Sequence, residues 1–113
     1  MQLLEIIDRL ELTLLSSEAD LEIEVTGGYC GDLLSHVLAS AVPGNLWITI
    51  QHHANVVAVA QVVELAGVLL AAGVRPSEAV LDKACTNGTA ILCSQEPAFR
   101  LAGRLYRLLT ELR

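Results

Sequence analysis

No stretch of the 113 residues approaches the roughly 18 consecutive apolar positions that a membrane-spanning helix needs, so its 53% hydrophobic content is not a lipid anchor. Bases are also scarce. Seven Lys and Arg stand against 13 Asp and Glu, and the resulting formal charge of −6 gives a surface that a phosphate backbone repels. Nucleic acid is therefore not an expected partner. Four of the bases, Arg100, Arg104, Arg107 and Arg113, cluster near the end of the chain and read as the solvated face of a helix. Cys30, Cys85 and Cys93 are odd in number and form no CxxC pair, which suits a reducing compartment. The opening MQLLEIIDRL lacks the basic region of a signal peptide, and the expected location is the cytoplasm.

Several catalytic motifs are missing as well. There is no GxxxxGK[ST], so no P-loop lysine can hold a β- or γ-phosphate. A dinucleotide fingerprint GxGxxG ending at Gly31 would need glycine at 26, where Thr stands, and the position about 20 residues on holds Gln51 instead of an acid. GxSxG is absent, and Ser35 and Ser40 fall inside a helical pattern. Cys30 precedes a helix start, which lowers a thiolate pKa, but Asp32 close by opposes the charge. Zinc at Cys30, His52 and His53 fails on geometry, because adjacent histidines on an extended segment point to opposite sides. His36 beside Leu33 and Val37 reads as a packing or surface residue. No metal site and no cofactor are expected.

What is present is a regular rhythm. Leu3, Leu4, Ile7 and Leu10 make a helical stripe over 2–10, and LTLL at 12–15 reads as a short strand followed by a loop at 16–20. LEIEVT at 21–26 alternates strictly and reads as a strand wetted on one side near a sheet edge. After the glycine-rich turn at 27–31, Leu33, Leu34, Val37, Leu38 and Ala41 recur at helical spacing, with Asp32 as N-cap and Pro43-Gly44 as the stop. LWITI at 46–50 is a buried strand. A helix over 55–66 follows, capped by Asn55 and ended by Gly67. VLLA at 68–71, a helix at 77–86 between Ser77 and Asn87-Gly88, AILC at 90–93, and a helix over 96–112 with Pro97 in its first turn complete the chain. Strands recurring about every 22 residues with helices between predict one α/β domain over 1–113, a small layered sandwich of a largely parallel four- or five-stranded sheet with helices on both faces.

The apolar share exceeds the usual content of about 45–50% on a count that includes Gly. The helices at 55–66 and 96–112 carry apolar residues on more than one stripe, the second with Phe99, Ala102, Tyr106 and Leu109 beside its Leu101, Leu105, Leu108 and Leu112 row. A homodimer, or one helix lying central in the sandwich, would account for this. The carboxyl ends of parallel strands, where ligands bind in open sheets, would present Thr26, Gly27, Gly28, Asp32, His52, Asn55 and Ser94. In that arrangement the amides of 27 and 28 and the helix starts after Asn55 and Ser94 would face an anionic group, with His52 orienting it.

The run TGGY, the following GDLLS, WITI, the HANVVAVA turn and helix, and the late ILCS strand occur in the order found in the DRTGG domain, which this chain resembles over nearly its whole length. The Asp-Arg of that name is replaced by Glu24-Val25, so any role of that pair does not carry over. The resemblance implies the layered fold of the N-terminal domain of HPr kinase/phosphorylase. It also implies an accessory module like that beside CBS domains in regulated pyrophosphatases, never the catalytic centre. The expected function is a non-catalytic regulatory or interaction module that senses a small anionic metabolite or nucleotide, or docks on a metabolic enzyme. A small enzyme using His52 or Cys30, and a purely structural dimerisation unit, are the alternatives.

Overall fold

NLWIT at 45–49 shows how the molecule is organised. All five residues are buried, so the strand they form needs cover on both faces. The computed structural model describes residues 1–16 and 19–111, and in it ten elements supply that cover. They are α1 (Leu3–Arg9), β1 (Thr13–Leu14), β2 (Gly27–Cys30), α2 (Leu34–Ser40), β3 (Asn45–Thr49), α3 (Asn55–Val63), β4 (Gly67–Leu70), α4 (Glu78–Asn87), β5 (Ile91–Cys93) and α5 (Ala98–Glu111). The sheet order is β1-β5-β4-β3-β2. β2 to β5 run parallel and β1 joins β5 antiparallel, so the α/β sandwich is largely, not wholly, parallel.

Side-chain alternation divides the core in two. Leu46, Ile48, Leu69 and Leu92 face α1 and α5, meeting Leu3, Ile6, Leu101 and Leu105. Trp47, Val68, Leu70 and Ile91 face the other way, onto Val37 of α2, Val56 and Val57 of α3, and Val80 and Ala84 of α4. The three crossovers from β2 to β5 thus lie on one face, and the chain's first and last helices cover the other. In its layer α3 contacts both α2 and α4. Its central place accounts for most of its apolar circumference without a partner. The outer stripe of α5 has no such cover, with Phe99 91% and Tyr106 72% exposed.

Local signals hold where the chemistry is local. Ser77 caps α4 by accepting from the Val80 amide, and Gly88 closes it at φ 70°. Four expectations are corrected. LEIEVT at 21–26 is not a sheet strand. The carbonyls of Ile23 and Leu21 accept from the amides of Leu3 and Leu4, groups that the start of α1 leaves free, and only Glu24 makes a bridge, to Gln2. Its alternation is real, since Val25 is buried and Leu21 and Ile23 pack on the α1 side, but its partner is a helix end. The glycines, read as a turn, are themselves the edge strand β2. Helix α3 stops at Val63 because Glu64 takes the left-handed conformation at φ 62°, and Gly67 opens β4 instead of ending the helix. Neither Asp32 nor Asn55 is an N-cap: those positions are Leu33 and Ala54, and neither helix start has a side-chain cap bond. Ser17 and Glu18 of the expected loop, and Leu112 and Arg113 of the expected last helix, lie outside the described residues.

Buried Ser16 joins the antiparallel edge to the sheet. Its hydroxyl donates to the Thr89 carbonyl at 2.8 Å and accepts from the Ile91 amide at 2.8 Å. Ser16→Ala leaves that amide without a partner and is expected to cost about 1–3 kcal/mol in urea unfolding, with the fold retained. A change within a few tenths of a kcal/mol would remove Ser16 as a fastening of β1.

Candidate functional site

The seven residues expected at one set of strand ends occupy three places. Thr26, Gly27 and Gly28 stand at the start of β2, not its end. The Thr26 hydroxyl donates to the Pro43 carbonyl at 2.8 Å and accepts from the Asn45 side chain at 3.2 Å, while its amide donates to the Gly44 carbonyl. Gly44 lies at φ +84°, and a Cβ there would come within 2.6 Å of the Thr26 methyl. Thr26 is thereby fastened to the turn that enters β3, and its hydroxyl is engaged on both sides.

Asp32, His52 and Asn55 sit at the opposite end of β2 and β3, with Asp32 roughly 13–20 Å from that run at about 3.3 Å per strand residue. One oxygen of the Asp32 carboxylate accepts from the Thr49 hydroxyl at 2.8 Å and the Ile50 amide at 3.0 Å, and its carbonyl accepts from the Gln51 side chain at 2.9 Å. This long-range pairing is why Asp32 does not cap α2. His52 approaches the Ile50 carbonyl through Nδ1 at 3.2 Å. Its ring stacks on His53, centroids 4.9 Å apart, so the two histidines share one side of a bent segment instead of pointing apart. His36 is also engaged, with Nδ1 hydrogen-bonded to the Tyr29 hydroxyl between α2 and β2. Ser94 lies beyond β5, two strands from β3, where its hydroxyl accepts from the Glu96 amide at 3.1 Å. The strand boundary explains the separation: moving it from 21–26 to Gly27–Cys30 carries the Thr-Gly-Gly run to the other end of the sheet.

Among the described residues, no three His, Cys, Asp or Glu side chains gather as metal ligands. No helix there is long and apolar enough to cross a membrane. Burial pushes the Cys30 thiol up, and the Asp32 carboxylate adds to the shift, opposite to what an activated nucleophile needs. No hydrogen bond joins Cys30 to His52 among the described residues.

A different feature emerges at the β2 edge. Between β2 and α5 runs a groove of about 340 Å³ with a mainly apolar lining that includes Gly28, Cys30, Ile48, Leu105, Tyr106 and Leu109. Gly28 makes the close approach possible, since a Cβ would stand 2.8 Å from Leu105 Cδ2. Among the described residues the outer side of β2 has no neighbouring strand, leaving outward backbone N–H and C=O groups at the groove's lip. The second apolar stripe of the last helix signalled this face in the sequence. The Gly-Gly edge strand did not, because glycine is depleted in strands.

No family model matches the chain, and no curated protein matches it by sequence. A solved structure does: the CBS and DRTGG domains of the regulatory region of Clostridium perfringens pyrophosphatase, complexed with its activator diadenosine tetraphosphate. It superposes with a TM-score of 0.65 over 93% of this chain at 15% identity. The fold is DRTGG-like. The chain spans 45% of that structure's length, and at this identity the likeness is one of fold.

Alkylation reads the state of the thiol. Iodoacetamide should modify Cys30 at neutral pH more slowly than a free cysteine, because a raised pKa leaves less thiolate. The rate should climb with pH to a midpoint above the ordinary thiol value. Asp32→Asn should lower that midpoint only part of the way, burial being the larger cause. Modification at neutral pH faster than free cysteine would restore Cys30 as a nucleophile.

Proposed function

We propose that the chain is a non-catalytic regulatory module that works as a homodimer, joined through the open edge of β2 and the outer stripe of α5. The observation that carries this reading is the apolar groove placed beside an unpaired strand edge. An edge strand presents hydrogen-bonding groups that a second extended segment satisfies, and a two-fold axis through two β2 strands lets each copy supply that segment to the other. Leu105 packs directly on the side-chain-free Gly28, and exposed Tyr106 beside it offers the partner an aromatic anchor.

The fold shared with a pyrophosphatase regulatory region supports the regulatory half. The raised Cys30 pKa and the separation of the polar residues weigh against an enzyme built on His52 or Cys30. Sensing of a small anionic metabolite or nucleotide, or docking on a metabolic enzyme, belongs to the same reading. The first is favoured by the activator nucleotide in that regulatory region, and calorimetry with adenine nucleotides tests it.

Light scattering tests the dimer. The chain should run at twice its monomer mass at high micromolar concentration. Tyr106→Arg, at an exposed position, should keep the far-UV circular dichroism and weaken association by about 30-fold or more, the loss expected of an aromatic anchor. A monomer at every concentration, or a dimer indifferent to Tyr106→Arg, would refute the assignment of this face.

A further inference from the structure

In an open α/β sheet a crevice forms where adjacent parallel strands send their following segments to opposite faces. Here β2, β3 and β4 all lead to helices on the α2–α4 face, so no crevice forms between them. β5 alone leads to the other face, into α5. The one switch among the parallel strands therefore lies between the carboxyl ends of β4 and β5, away from Asp32, His52 and Asn55.

Beside it, at the carboxyl end of β5 and the start of β1, lies a pocket of about 320 Å³. Cys93 to Glu96 form one wall and Leu10, Glu11 and Thr13 the other, with Arg75 reaching in from the loop after β4 and Arg104 from α5. The loops after β4 and β5 clasp each other. The Ala72 amide donates to the Glu96 carbonyl at 2.7 Å and the Gly73 amide to the Ser94 carbonyl at 2.9 Å. The clasp holds Ala72 at φ 57°, and Glu11 on the rim stands at φ 55°, two side-chain-bearing residues in a conformation that glycine adopts more cheaply. The backbone amides of 72, 73 and 96 are thereby engaged.

The side-chain charges of the pocket are unevenly matched. Arg104 shares Glu96 with Arg100, so its charge is largely answered within the chain. Arg75 and Glu11 line the same pocket, and neither has an ion pair among the described residues. A free guanidinium and a free carboxylate facing one crevice call for a ligand bearing both signs, and Glu11 disfavours a polyanion. Ser94, which still has its hydroxyl proton to donate, and Gln95 add polar groups between them.

We propose that this crevice binds a small zwitterion of the α-amino acid class, its carboxylate on Arg75 and its ammonium on Glu11. This ligand class differs from the anionic metabolite or nucleotide of the regulatory reading, and the proposal rests on that reading only for the consequence of binding. The test is a thermal-shift screen followed by calorimetry on the full chain. The probes are the free proteinogenic α-amino acids at millimolar concentration, each hit compared with its des-amino acid and its decarboxylated amine. At least one amino acid should raise Tm and give heat, with both counterparts failing. Arg75→Ala and Glu11→Gln, both at exposed positions, should each weaken binding about tenfold or more, while Lys83→Ala, exposed on α4 at the other face, leaves it unchanged. Silence from every amino acid, equal binding of a des-amino acid, or binding indifferent to both variants overturns the proposal. Because the dimer is read separately by light scattering, its failure would not be mistaken for this one.

Discussion

The two-sided burial of β3, β4 and β5 governs the rest of the molecule. Leu46, Trp47, Ile48, Leu69, Leu70, Ile91 and Leu92 are almost wholly removed from water, and at about 25 cal/mol per Å² of apolar surface these strands hold the domain together only if helices cover both faces. Three short crossovers cover one face. The other depends on α1 and α5, which come from opposite ends of the sequence, so the chain must change sides after β5. That change of side leaves a crevice beyond the carboxyl end of β5, beside the start of β1.

The same requirement leaves β2 exposed. As the last strand of the sheet it has β3 on one side and, among the described residues, no strand on the other, and α5 packs close over it because Gly28 carries no side chain. Bulk at that position would push Leu105 away and lift the helix. Glycine instead lets Leu105 sit directly on the strand, and the outward residues of α5 beside it, Tyr106 among them, are ones the core does not need. Tyr29 fastens the opposite face of β2 through His36, so the edge is held in place without being covered.

Much of the fold was legible because its signals are local. Ser77 and Gly88 act within one helical turn, and the apolar LWITI run admits few readings. The failures share a physical cause: a group with two candidate partners, one nearby and one distant. Asp32 could cap the next helix or bond across to Thr49 and Ile50, and the distant bonds prevail. LEIEVT could pair in the sheet or serve the free amides of α1, and its alternation is the same in both cases. Gly27 and Gly28 have low strand propensity yet pair with Asn45 and Leu46, since packing beneath α5 outweighs propensity at that edge. The candidate site was less legible still. Which strand ends gather depends on which face each helix takes, and no short window of sequence encodes that choice.

Two surfaces with different chemistry result, an apolar edge at β2 and α5 and a charged crevice beyond β5. On the proposed reading the first joins two copies and the second senses a small molecule. The joining surface is the more basic of the two, and amide hydrogen exchange at Gly28 and Cys30, whose N–H groups alternate with the inward-pointing Gly31 amide, tests it most directly across a dilution series. Slow exchange is expected in concentrated protein, becoming fast on dilution while β3 and β4 stay protected. Fast exchange at Gly28 and Cys30 at every concentration, with the inner strands protected throughout, would contradict it.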